Sequence, residues 1–149
     1  MRRKQKRYDF SFSKREFQKI LTEQNPCGSV RMLSMNPQTG VRMIYSSDPE
    51  LEELFGDDTE IIFSLEIKNI YLSCVDSELI HVGKRVYLVG TGIIYKLNQD
   101  DDYEDMSAEE MADSCLEVFS RLQRIWMSDF GCIVIDLTDA EDESHEEKE

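Results

Sequence analysis

The chain has little of what metal and nucleophile chemistry most often use, with two histidines and four cysteines in 149 residues. His81 stands in an apolar run and His145 in an acidic one, and neither lies near a plausible Ser or Cys nucleophile in sequence. Cys27, Cys74, Cys115 and Cys132 are widely spaced and contain no C-x-x-C pair, so the paired-ligand signature of structural zinc is missing. Three of the four lie inside apolar patterns, where a reduced thiol behaves as a small hydrophobe. No apolar run approaches the roughly 20 residues that span a bilayer. The opening stretch from Met1 to Arg7 leads into alternating polar and aromatic residues rather than an apolar signal core. These absences imply a cytoplasmic chain with no metal, no cofactor and no membrane partner.

Positive charge is nearly missing from the last third. Residues 100–149 hold 3 Lys+Arg against 18 Asp+Glu, whereas residues 1–99 hold 14 against 13, for a net charge of −14. The acidity therefore belongs to one region. Such a molecule has a basic end and an acidic end, and the acidic end repels nucleic-acid phosphate.

What is present reads as an α+β chain. A basic flexible arm, residues 1–7, carries Arg2, Arg3, Lys4, Lys6 and Arg7, a weak nucleic-acid signal. Tyr8, Phe10 and Phe12 alternate as a half-buried strand. Ser13 and Glu16 have capping-box spacing, and Phe17, Ile20 and Leu21 follow at helical spacing, which predicts a short helix over 14–24. Apolar runs at 30–35 and 41–45 flank Asn36-Pro-Gln-Thr-Gly40, a hairpin loop. A second short helix is expected from Ser47 to Phe55, with Leu51, Leu54 and Phe55 as its buried stripe. Residues 61–74 alternate with a phase change near Lys68-Asn69, as one bent strand with a bulge or as two strands. Strands at 79–82, 85–89 and 93–97 complete an antiparallel meander.

After a solvated loop, Asp100 to Asp105, a second capping box at Ser107 and Glu110 opens a run with Met111, Cys115, Val118, Phe119, Leu122, Ile125 and Trp126 at spacings of three and four. That pattern predicts a long helix over 108–127, followed by a β-branched run from Cys132 to Leu137. The last twelve residues, 138–149, contain seven acids and no aromatic, an acidic disordered tail. The expectation is a single domain over 8–137. It comprises an antiparallel sheet of six to eight strands covered by one long C-terminal helix and one or two short ones.

No constellation reads as catalytic. Gly90-Thr-Gly92 and Gly83-Lys84 lack the helix start or the flanking residues of a phosphate loop and read as turns. The run from Asp100 has Asp105 and Met111 where a calcium loop needs its glycine and its glutamate. Asp57-Asp58, an apolar strand and Glu66-Ile-Lys68 resemble the Asp…Glu-x-Lys pattern of metal-dependent restriction-type nucleases. That resemblance implies carboxylates holding Mg²⁺ and a lysine positioning the attacking water, with Glu66 and Lys68 on one strand face. The helix expected after the strand is replaced by strand-like sequence, and a solvent-facing charge pair accounts for the same residues.

The leading expectation is a non-catalytic interaction protein that presents Asp100, Asp101, Asp102, Glu104, Asp105, Glu109, Glu110, Asp113 and Glu117 to a basic partner surface. Spaced carboxylates on a helix and its leading loop imitate a nucleic-acid backbone. In size, acidity and lack of a catalytic motif the chain resembles the small acidic inhibitors of phages and mobile elements, anti-CRISPR proteins among them. The resemblance implies that the partner is a nucleic-acid-processing protein, such as an RNA-guided nuclease. Two alternatives stay open: the nuclease, and a structural or antitoxin-like subunit that uses a sheet edge or the apolar helix stripe. Exposure of Phe119 and Trp126 favours this last reading, and their burial the acidic one.

Overall fold

The structure is a computed structural model and describes residues 14–21, 28–46, 60–127 and 129–138. The basic arm, the strand expected at 8–12, the helix expected at 47–55, Asp57-Asp58, Cys27, His145 and the acidic tail after Thr138 lie outside the described residues.

Helix α1, Lys14–Ile20, is followed by a hairpin of β1, Val30–Asn36, and β2, Gly40–Ser46. The hairpin loop is set by its own chemistry. The Asn36 carboxamide oxygen accepts from the Gln38 amide at 2.8 Å, the Thr39 amide donates to the Asn36 carbonyl, and Gly40 takes φ +104°, open to glycine. The central alternation resolves into two strands, β3, Glu60–Ser64, and β4, Ile70–Val75. They are joined by a turn in which Asn69 has φ +68°. A 3₁₀ turn at Asp76–Glu78 leads to β5, Leu79–Val82, then β6, Arg85–Leu88, and β7, Gly92–Leu97. The two-residue β8, Tyr103–Glu104, precedes helix α2, Ala108–Phe119. The hairpin of β9, Leu122–Met127, and β10, Phe130–Asp136, follows.

All described pairings are antiparallel, in two sheets. One runs β2-β1-β7-β4-β3, with β8 also on β7; the other runs β5-β6-β10-β9. The expected single sheet of six to eight strands is thus two sheets, of six and four strands among the described residues. Nor is the middle a continuous meander. The chain leaves the second sheet after β6 and enters the first as its central strand β7, through a connection tied down by Glu78. The Glu78 carbonyl accepts from the Val89 and Gly90 amides, and its carboxylate accepts from the Thr91 amide at 2.9 Å.

The largest correction concerns the long helix. It begins where predicted, with the Ser107 hydroxyl accepting from the Glu110 amide and the Glu110 carboxylate accepting from the Ser107 amide. It stops at Phe119. The Ser120 amide donates to the Leu116 carbonyl and the Arg121 amide to the Val118 carbonyl, which tightens the last turn. Leu122, Ile125 and Trp126 fit a helical spacing, but Leu122–Met127 pairs instead with the β-branched run of β10 in register Ile135↔Leu122 to Phe130↔Met127. Non-local pairing overrides the local period.

The main core lies between the sheets and the helices. The inner face of the larger sheet contributes Leu33, Phe63, Ile70, Leu72 and Ile94. The smaller sheet contributes Leu79, Leu88 and Ile135, and the helices Phe17, Met111, Cys115 and Val118. A smaller cluster, Met32, Ile93 and Tyr95, occupies the opposite face of the larger sheet, where the Tyr95 and Ser73 hydroxyls share a hydrogen bond of 2.7 Å.

Candidate functional site

The acidic residues divide into two groups. Those of the first group serve the fold. Asp105 accepts from the Arg31 amide at 2.8 Å and stands 3.8 Å from its guanidinium. The Glu110 carboxylate caps α2 and meets the Lys96 ammonium at 2.9 Å. Burial works against its charge, but the Ser107 amide and Lys96 outweigh burial and hold the carboxyl below its ordinary range. Lys96 is correspondingly held above its ordinary value, chiefly by its hydrogen bond to Glu110 against the cost of burial, with the Glu104 charge adding. Glu117 accepts from the Glu66 amide with both oxygens, at 3.0 and 3.1 Å, and pairs with Arg121 one helical turn on. Burial pushes its carboxyl up despite these partners. Glu109 lies 3.9 Å from Lys14, an exposed pair of little weight.

The second group faces water. Asp100, Asp101, Asp102, Glu104 and Asp113 are exposed. The turn that carries the first three is ordered around Asn98. Its carboxamide oxygen accepts from the Asp100 and Asp102 amides at 2.8 and 3.1 Å, while its own amide donates to the Asp102 carbonyl at 2.9 Å. Asp101 has φ +64°, a left-handed conformation that Asp tolerates. The loop read as solvated therefore has fixed geometry, and it runs on into the short strand β8.

Apolar exposure is the feature that the sequence pattern concealed. Leu116, Phe119, Trp126 and Phe130 are 65%, 54%, 67% and 59% exposed. Leu116 and Phe119 are three residues apart on α2, hence on one side of it. Asp113 is three residues before Leu116 and shares that side. Trp126 follows Leu122 and Arg124 on one face of β9. Leu122 packs against the core, so the strand carries the same face outward to the indole. Gly131 lies opposite Trp126, and a Cβ there would come within 3.0 Å of the Arg124 Cδ, so the Arg124 stem lies across the glycine.

The outer edge of β9 is unpaired among the described residues. The Asp136 amide donates to the Arg121 carbonyl at 2.9 Å. Hydrogen-bonded pairs alternate along an antiparallel ladder, so the N–H and C=O groups of Leu122, Arg124 and Trp126 point away from β10. The alternation Leu-Gln-Arg-Ile-Trp is legible as a strand only once the partner run in β10 is known.

The remaining sequence candidates are not brought together. Glu66 and Lys68 lie in the β3–β4 turn and not on a strand face, which corrects the placement that nuclease chemistry requires. His81 is exposed on β5, 3.2 Å from Asp76. Cys74 and Cys115 are buried in the core, and Cys132 is half-buried. No group of three metal-ligating side chains occurs among the described residues. No described helix is long and apolar enough to cross a membrane.

Comparison with protein-family models, curated proteins and solved structures finds no match to this chain.

Proposed function

We propose that this protein is a non-catalytic interaction protein that docks through α2 and the β9 edge onto a partner with an apolar groove and basic margins. The observation that carries this reading is the tryptophan on an edge strand, two-thirds in water, beside backbone groups that have no ladder partner among the described residues. Large apolar side chains exposed in this way mark association surfaces. An open strand accepts an extended segment of the partner through main-chain hydrogen bonds, while side chains on alternate positions supply selectivity. Leu116 and Phe119 add apolar area from the helix. Glu109 and Asp113 give that helix an acidic outer side that attracts cations of the partner and speeds encounter. This is the partner-subunit reading, favoured by the exposure of Phe119 and Trp126.

A second reading has its own support, the ordered turn at Asp100, Asp101 and Asp102. Carboxylates in fixed positions suit a groove that binds nucleic-acid backbone, as an anti-CRISPR-like inhibitor of a nucleic-acid-processing enzyme would. In that case Asp105, Glu110 and Glu117, already engaged within the fold, contribute field rather than contacts.

One experiment separates the two. Tagged wild type, Trp126→Thr, and the triple variant Asp100→Asn/Asp101→Asn/Asp102→Asn are used to capture partners from cell extract at low and high salt. Asn keeps the left-handed backbone at 101 while removing charge. Each captured protein is then purified and its affinity for all three chains measured. Loss of affinity with Trp126→Thr alone supports docking at β9. Loss with the triple variant alone, steep in salt, supports the acidic groove mimic. A captured protein that binds all three equally removes both.

A further inference from the structure

A cavity of about 380 Å³ is lined by Ser34, Asn36, Thr39, Gly40, Val41, Arg42 and Thr91. It sits where the β1–β2 loop meets the connection from β6 to β7. Its chemistry is one-sided. In a chain of net charge −14 the described lining residues include no carboxylate and one guanidinium. Arg42 is exposed and makes no ion pair with a described residue.

The polar atoms around it are biased toward donation. The Asn36 carboxamide is held in place, since its oxygen accepts from the Gln38 amide and its nitrogen donates to the Thr91 hydroxyl at 3.0 Å, and its second N–H remains a donor. With one lone pair so occupied, the Thr91 hydroxyl keeps its proton for an outside acceptor. The Ser34 and Thr39 hydroxyls carry one proton each, and Arg42 five N–H groups in a planar fork. The Glu78 carboxylate accepts from the Thr91 amide and is not among the described lining residues. The Gln38 carboxamide donates to the Ile133 carbonyl at 2.7 Å and the Val89 carbonyl at 3.4 Å, fixing the loop to the smaller sheet. The wall is therefore preorganised.

We infer that this cavity binds a small oxyanion-bearing ligand, with Arg42 engaging the anion and the Ser34, Thr39 and Thr91 hydroxyls donating to its oxygens. The volume is at the lower end of small-molecule sites and leaves room beyond the anionic group. Phosphate and carboxylate share this chemistry. A tetrahedral phosphate offers more acceptors to the hydroxyls than a planar carboxylate, so the phosphoryl form binds more tightly.

The test is an NMR titration of the full chain with inorganic phosphate and, separately, with acetate. Saturable shifts at residues 34–42 and 91 are expected, tighter with phosphate. Arg42→Gln weakens binding about tenfold or more, the scale of losing a charge-assisted hydrogen bond. Lys84→Gln, on the remote β5–β6 turn, leaves it unchanged, and circular dichroism checks that both variants fold. Tighter binding of acetate would assign a carboxylate ligand to the same site. The inference is overturned if neither anion saturates, or if Arg42→Gln and Lys84→Gln weaken binding equally.

Discussion

Replacing Trp126 by Thr separates a binding role from a structural one in a single residue. The indole is 67% exposed, so of the roughly 150–250 Å² that an aromatic side chain can bury, about 150 Å² is still in water. At about 25 cal/mol per Å² that surface is worth at most ~4 kcal/mol when a partner covers it. Truncation of a central aromatic anchor costs about 2–4 kcal/mol, or about 30- to 1,000-fold in affinity. The fold gains little from the same side chain. Thr, like Trp, is favoured in strands, and stability is expected to change by no more than about 0.5 kcal/mol. Urea unfolding followed by far-ultraviolet circular dichroism gives the second number, and titration against the captured partner the first. The one tryptophan also reports directly, since acrylamide should quench it readily in the free chain and poorly in the complex. A loss of stability above about 1.5 kcal/mol, with affinity intact, would refute the reasoning, because the indole would then be packing against its own chain.

Glu110 carries both a helix cap and an ion pair, and its variants should rank accordingly. Glu110→Gln keeps a group that reaches the Ser107 amide and is expected to cost about 1 kcal/mol, whereas Glu110→Ala loses cap and pair and costs about 2 kcal/mol; equal urea midpoints would remove this account. The acid limb follows from the same groups. Glu110 and Asp136 are both held below their ordinary values of 4.5 and 3.8, in each case with burial overcome by hydrogen bonds and cations. Their stabilisation is present above those values and is lost as pH falls through the lower folded-state values. Glu117 works the other way: its raised carboxyl makes stability fall as pH rises from 4.5 through its folded value. Thermal melts of Glu117→Gln should lack that descending segment. Gly90→Ala places a methyl group on the Glu78 carboxylate, which must swing away and leave the Thr91 amide without its acceptor. A loss of about 1–3 kcal/mol in chemical unfolding is expected, and a neutral outcome would mean that Glu78 is not needed there.

Local chemistry was the legible part of the sequence. The Asn36–Gly40 loop, the Ser107–Glu110 capping box, the break at Lys68-Asn69 and strands 79–82 and 85–88 are all set by residues within a few positions of one another. What escaped was non-local. Nothing between Gly83 and Gly92 signals that β6 and β7 belong to different sheets, because that choice depends on Glu78 and on the faces each strand buries. The helix limit at Phe119 escaped for the same reason. Leu122, Ile125 and Trp126 satisfy a helical spacing, and only the partner strand from Phe130 to Asp136 decides against it. The acidic run looked uniform in sequence because its cationic partners, Lys14, Arg31 and Lys96, are distant along the chain.

Amide hydrogen exchange across residues 98–138, with and without the captured partner, tests docking at the β9 edge most directly. In the free chain the outward amides of Leu122, Arg124 and Trp126 should exchange quickly, and those of Gln123 and Ile125, bonded to β10, slowly. On binding, protection should rise at Leu122, Arg124 and Trp126 and change little at Asp100 to Asp105. Protection confined to the acidic turn, with the β9 amides unchanged, would contradict it.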